Sequence, residues 1–124
     1  MTNNREPPER YGLVGHPVEH SWSPFIHTLF ARQTGQRITY ELIDASPAAF
    51  ETAVRGFAAA GGRGLNVTIP HKEAAFALVG EVSDAARLAG AVNTITIDGN
   101  RLRGDNTDGV GFIRDVTVNQ GQEL

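Results

Sequence analysis

Apolar positions along the chain switch repeatedly between two spacings. A short apolar run from Tyr11 to Gly15 reads as a strand, and Ile26, Leu29 and Phe30 then recur at the spacing of one helix face. Ile38, Tyr40 and Leu42 alternate with Thr39, Glu41 and Ile43, which predicts a second strand. Phe50, Val54, Phe57 and Ala58 predict a second helix, and Leu65 to Ile69 a third strand stopped by Pro70. The punctuation agrees. Ser23-Pro24 and Ser46-Pro47 each place an N-cap residue before a first-turn proline, with the first helix running to about Gly35. Gly61-Gly62 closes the second helix.

Beyond Pro70, a helix through Phe76 and Leu78 is expected to end at Gly80, and a shorter one from Ser83 to Leu88 at Gly90. Ala91 to Ile97 predicts a strand, and Asp98-Gly99 before Leu102 predicts a hairpin turn. A last helix is expected to start around Asn106 to Asp108 and to include Val110, Phe112, Ile113 and Val116. This alternation implies an α/β fold, a three-layer α/β/α domain whose mainly parallel mixed sheet carries one antiparallel hairpin. Residues 1–10, with Pro7-Pro8 and alternating charges, show no apolar period and read as a flexible tail before a domain over 11–124.

Composition narrows the function classes. At 124 residues and 40% apolar content the chain is sized for one core. A net charge of -3 gives no electrostatic attraction to nucleic acid or to an anionic membrane surface. Without cysteine there is no disulfide scaffold and no thiol nucleophile, and no apolar stretch follows Met1 to Arg5, so a cytoplasmic protein is expected. The eleven basic residues include a single lysine, Lys72. An ammonium can titrate where a guanidinium cannot, so an Arg-rich chain that keeps one lysine either uses that property or shows a coding bias with one survivor.

Ligands of open α/β sheets bind beyond the carboxyl ends of the strands. The residues expected there are Ser21 and Ser23 after the first strand, Asn66, Thr68 and Lys72 on and after the third, Asn93, and the run Asp105-Asn106-Thr107-Asp108. Together they form a set of hydroxyl and carboxylate recognisers with one candidate proton carrier. Each residue also has a plain structural use: the serines in turns and caps, Asn93 at a strand end, Asp105 to Asp108 in an Asx-turn. His16, His20, His27 and His71 have no metal-ligand spacing, so no metal is expected; His71 adjoins Lys72. No G-x-G-x-x-G or G-x-x-x-x-G-K-[ST] motif is present to cradle a nucleotide phosphate.

Four motifs carry a specific likeness: Gly15-His16-Pro17 through Ser21-Trp22-Ser23-Pro24; Gly64-Leu65-Asn66-Val67-Thr68-Ile69-Pro70-His71-Lys72-Glu73; Gly90-Ala91-Val92-Asn93-Thr94; and Gly104-Asp105-Asn106-Thr107-Asp108-Gly109. In this order they resemble the signatures of shikimate dehydrogenase, over nearly the whole chain from Tyr11 but only for the amino-terminal, substrate-binding half of that enzyme. Trp22 and His71 depart from the residues expected at their positions.

The resemblance implies that Ser21 and Ser23 bind a substrate carboxylate, and that Asn66, Thr68, Asn93 and Asp108 bind ring hydroxyls. It implies Lys72 and Asp108 as the catalytic pair, and Asp84 as a residue near the nicotinamide cofactor. The complete enzyme would reversibly reduce 3-dehydroshikimate to shikimate in aromatic amino-acid biosynthesis, with NADP held mainly by a Rossmann domain that this sequence lacks. The fragment alone is then expected to be inactive, and a homodimer is compatible with the pattern. A quinate-using relative and a stand-alone, non-catalytic shikimate-binding module are the alternative readings.

Overall fold

The computed structural model describes residues 7–19 and 21–108. Six strands, β1 (Glu9–Gly15), β2 (Ile38–Asp44), β3 (Gly62–Val67), β4 (Glu81–Val82), β5 (Thr94–Asp98) and β6 (Arg101–Asp105), form one sheet in the order β2-β1-β3-β5-β6-β4. Four α-helices connect them: α1 (Ser23–Thr34), α2 (Phe50–Ala59), α3 (Lys72–Leu78) and α4 (Asp84–Ala89). The expected α/β fold with a mixed sheet is present. β1 pairs in parallel with β2 and β3, and β4 with β6. β5 runs antiparallel to both of its neighbours, so the hairpin at Asp98-Gly99 is one of two antiparallel pairings.

Local chemistry explains most boundaries. Gly35 and Gly90 stop α1 and α4 in the left-handed conformation that glycine adopts without strain. Ser83 caps α4, its hydroxyl accepting from the Ala86 N–H at 3.1 Å. Ser23 is not a cap. It is the first residue of α1, and Trp22 holds the cap position without a side-chain bond. Ser21 supplies the local acceptor instead, its hydroxyl taking the Ser23 N–H at 3.1 Å. Ser46 likewise precedes a 3₁₀ turn, Pro47–Ala49, and makes no capping bond.

Strand ends shift by a few residues from the periodic expectation. β1 starts at Glu9, two residues before Tyr11, because Glu9 and Arg10 pair with Ile38 and Thr39. β5 starts at Thr94; before it, the Val92 and Asn93 N–H groups donate to the Lys72 and Asp105 carbonyls. β4, two residues long, is too short for any apolar period to announce. The expected helical positions Val110, Phe112, Ile113 and Val116, and His20, lie outside the described residues.

Alternation divides the sheet into two unlike faces. On one, Val14, Leu65, Val67, Ile95, Ile97 and Leu102 pack against Phe50, Val54 and Phe57 of α2, Ala75 of α3 and Ala86 of α4. That is the core. On the other, α1 covers the β2 margin, its His27 ring stacked on Tyr40 at 4.3 Å. Its apolar row remains exposed among the described residues: Trp22 by 74%, Phe25 by 60%, Phe30 by 58%.

Gly15 ends β1 where a side chain has no room, since a Cβ there would stand 2.4 Å from the Thr68 methyl and 2.7 Å from Val18. Gly15→Ala should therefore lower stability by about 1–3 kcal/mol and displace Thr68, as overpacked sites do. Gly80→Ala, where nothing lies within 4 Å of the added carbon, should stay within about 0.5 kcal/mol. Urea unfolding and the Thr68 methyl NMR shift check both; equal effects at the two glycines would contradict the packing argument.

Candidate functional site

Strand direction gathers the polar residues at one edge. The carboxyl ends of β1, β2, β3, β4 and β6 point to the same side of the sheet, and antiparallel β5 brings its amino end there. Residues distant in sequence consequently meet. The Lys72 ammonium donates to Asp108 Oδ2 at 2.7 Å across 36 positions of chain. Asn93 Nδ2 donates to Asp108 Oδ1 at 3.0 Å and to Thr107 Oγ1 at 2.9 Å.

The loop after β6 is held by its own side chains. Asp105 Oδ1 accepts from the Ser83 hydroxyl at 2.6 Å and from the Asn106 N–H at 2.7 Å. Asn106 Oδ1 accepts the Asp108 N–H at 2.9 Å, and its Nδ2 donates to the Ala91 carbonyl at 3.0 Å. This is the Asx-turn read from the sequence, and it aims Asp108 at Lys72.

Asn93 is saturated within the protein. Its two amide hydrogens go to Thr107 and Asp108, and its Oδ1 accepts the Thr94 hydroxyl at 3.0 Å and the Thr107 N–H at 3.1 Å. A ligand oxygen must replace one of these partners to reach it. Asn66 differs: the Tyr40 hydroxyl donates to its Oδ1 at 2.7 Å, which fixes the amide and leaves Nδ2 as the donor to be used. Asn66 stands in register opposite Thr94, the residue that follows Asn93.

Ser21 and Ser23 stand at the start of α1, and the Ser23 carbonyl accepts the His27 Nδ1–H at 2.8 Å. Asn66 is held through Tyr40, a residue whose spacing in the sequence marks it only as part of a strand. Burial raises the Tyr40 phenol to about 12, with the Ser23 hydrogen bond opposing, so it stays a neutral donor. Its only sequence signal is a polar-tipped aromatic at an inward strand position. Thr68 follows β3, with its methyl against Gly15. Asp84, exposed in the first turn of α4, makes no hydrogen bond to the Lys72–Asp108 pair among the described residues.

A groove of about 630 Å³ runs along the open sheet face past Tyr11, His27, Tyr40, Asn66 and Thr94. Among the described residues expected at the site, its lining includes Asn66 and not the Lys72–Asp108 pair. Among the described residues no cluster of His, Asp and Glu could hold a metal ion, and no helix is long and apolar enough to cross a membrane.

The Lys72 ammonium holds the Asp108 carboxyl below its ordinary value; burial opposes this and the Asn93 amide assists. A depressed carboxyl contributes stability above its unfolded value, near ~3.9, and loses it as pH falls through the folded value. Lys72→Met should move the Asp108 titration up toward the ordinary range, read from its carboxyl carbon by NMR; an unmoved titration would show that the pair does not form. Tyr40 has the opposite sign. Its contribution is complete below about 10 and lost as pH rises through about 12, so Tyr40→Phe should flatten the alkaline loss of stability over that interval.

Comparison with known proteins gives a consistent result. A family model described as the shikimate dehydrogenase substrate binding domain matches residues 13–95. Over 116 residues, 94% of this chain and 43% of the relative, the sequence is 53% identical to the shikimate dehydrogenase (NADP(+)) of Alkalilimnicola ehrlichii. A crystal structure of shikimate dehydrogenase in complex with NADP+ superposes with a TM-score of 0.88 at 37% identity, covering 99% of this chain and 42% of that one. The Thermus thermophilus enzyme, solved in complex with NADP(H) and shikimate, gives 0.83 at 38% identity over 90% of this chain and 42% of its own. This chain spans about two fifths of the length of the curated relatives it matches.

Proposed function

The chain belongs to the shikimate dehydrogenase substrate-binding domain family, and from that premise we propose that it is the substrate-binding and proton-handling part of an NADP-dependent shikimate dehydrogenase. The complete enzyme would reversibly reduce 3-dehydroshikimate to shikimate, a step toward aromatic amino acids. The same reading puts the protein in the cytoplasm, away from nucleic acid and membrane, and is compatible with a homodimer. The observation that carries it is the 2.7 Å bond between the Lys72 ammonium and Asp108 at the rim of the sheet, with an Asn66 amide whose Nδ2 has no protein partner among the described residues.

In this reading the Ser21 and Ser23 hydroxyls take the substrate carboxylate, while Asn66, Thr68, Asn93 and Asp108 take the ring hydroxyls. As a hydride adds to the carbonyl carbon, the carbonyl electron pair moves to oxygen. An O–H bond forms there while an N–H bond of Lys72 breaks, leaving an alcohol and a neutral amine. The carboxylate of Asp108, ionised at neutral pH, holds the ammonium toward the substrate until the transfer and withdraws no proton itself. In the oxidation direction the amine of Lys72 removes the hydroxyl proton.

NADP(H) would supply or accept the hydride. The described residues do not fit its phosphates: at Gly15 and Gly62 the space a cradle would leave open is filled by the Thr68 and Phe57 side chains. We therefore assign the dinucleotide mainly to sequence outside this chain. Asp84 is the one residue here assigned to it, as an exposed carboxylate at the same edge.

Calorimetric titration with shikimate, without nucleotide, should show saturable binding, and Asn66→Ala and Asp108→Asn should each weaken it about tenfold, as expected for a lost hydrogen bond to a charged or buried partner. Quinate should bind less well than shikimate. The chain with NADP and shikimate should show no turnover. A folded chain that binds neither compound would contradict the reading, and a preference for quinate would move it to the quinate-using branch.

A further inference from the structure

We propose that His71 is a positioning residue for Lys72: its ring N–H, bonded to the Ala45 carbonyl, sets where α3 begins and so where the ammonium lies relative to Asp108. The proposal rests on the reading of Lys72 as proton donor, and it gives the adjoining ring a role that adjacency in the sequence does not specify.

His71 is 1% exposed, the most deeply buried titratable side chain among the core residues. Its ring lies on Phe50 at 4.6 Å and 19°. Nε2 stands 2.6 Å from the Ala45 carbonyl oxygen. A carbonyl only accepts, so Nε2 carries the hydrogen. Packing alone would be served by an apolar ring, whereas an imidazole in this place has to be hydrogen bonded to offset its desolvation. What the imidazole adds to a phenyl ring here is that one directed bond.

The bond reaches the site through backbone. The Ala45 N–H donates to the Gly15 carbonyl at 3.0 Å, which ties the acceptor to the end of β1. The His71 N–H donates to the Thr68 carbonyl at 3.0 Å, and its own carbonyl accepts from Ala75 at 2.8 Å, opening α3. On the next residue, the Lys72 carbonyl accepts the Val92 N–H at 2.9 Å, one position before Asn93. His71 thus locks the ends of β1, β2 and β3 to the residue that carries the ammonium. Lysine reaches its partner on a flexible four-carbon stem, so its Cα must be placed by something other than its own side chain.

Two substitutions separate the bond from the packing. His71→Phe keeps a ring on Phe50 and loses the donor; His71→Gln loses the stack and keeps an N–H near the place of Nε2. Carbon NMR of the ligand-free chain reads the Asp108 carboxyl, whose low titration reports contact with Lys72. His71→Phe is expected to raise that titration and to weaken shikimate binding about tenfold, as misplacement at a reacting centre does. His71→Gln is expected to leave the titration low and binding within about threefold. An unmoved titration in folded His71→Phe, or a raised one in His71→Gln, overturns the proposal.

Should His71→Phe not fold, the glutamine variant and the wild-type ring decide. Long-range proton–nitrogen correlation is expected to show the Nε2–H tautomer in the wild type, and the Nδ1–H tautomer would overturn the proposal. Because the titration needs no ligand, a chain showing these shifts without binding shikimate would remove the substrate reading and leave the positioning role standing.

Discussion

The backbone hydrogen bond from the Val92 N–H to the Lys72 carbonyl, 2.9 Å long, ties together two segments that nothing local would bring near each other. It sits where β5 enters the sheet antiparallel to β3, with the Val67 N–H donating to the Asn93 carbonyl at 2.7 Å alongside it. Had β5 followed β3 in parallel, its amino end would lie at the opposite edge, and Asn93 with it. The reversal also returns β6 in the direction of β3 and delivers Asp105 to Asp108 to the same rim. Lysine, asparagine and aspartate meet because of this one inversion of strand direction.

The site built there is arranged before any ligand arrives. Its polar groups hold one another: Asn93 is saturated, Asn106 and Asp105 fold the loop, and Tyr40 fixes the Asn66 amide. Preorganised donors cost little reorganisation when charge develops on a bound oxygen. The Lys72–Asp108 pair is itself half-exposed, with side-chain accessibilities of 35% and 52%, so it adds little to stability. Its value is positional, and this is why the buried ring of His71, rather than the ion pair, carries the mechanical burden next to it.

The two faces of the sheet divide the labour. One is closed by α2, α3 and α4 over a continuous apolar core, which supplies stability and a rigid floor for the strand ends. Among the described residues the other is covered by α1 at one margin, beside a groove with Tyr40 and Asn66 in its wall and an exposed aromatic row on the helix. The residues proposed to recognise a ligand sit where the closed face ends and the open one begins.

How much of this could be read from the chain follows from the range over which each residue acts. Alternating apolar spacings, prolines at helix starts and glycines at helix ends are local signals, so the order of strands and helices, the Asp98-Gly99 turn and the Gly35 and Gly90 stops were legible. The lone Lys72, the Asn66-x-Thr68 pair and the Asp105 to Asp108 loop were legible as chemistry, and the four motifs tied them to a family. The direction of β5, the two-residue strand β4 and the use of Ser21 rather than Ser23 as the local acceptor were not, because pairing partners and competing acceptors are chosen only on folding. Tyr40 stayed hidden for the same reason, and so did the contacts of His71, although its place beside Lys72 was legible. In sequence they are an aromatic in a strand and a histidine beside a lysine; only packing decides that one phenol meets Asn66 and that one imidazole finds the Ala45 carbonyl, 26 positions away.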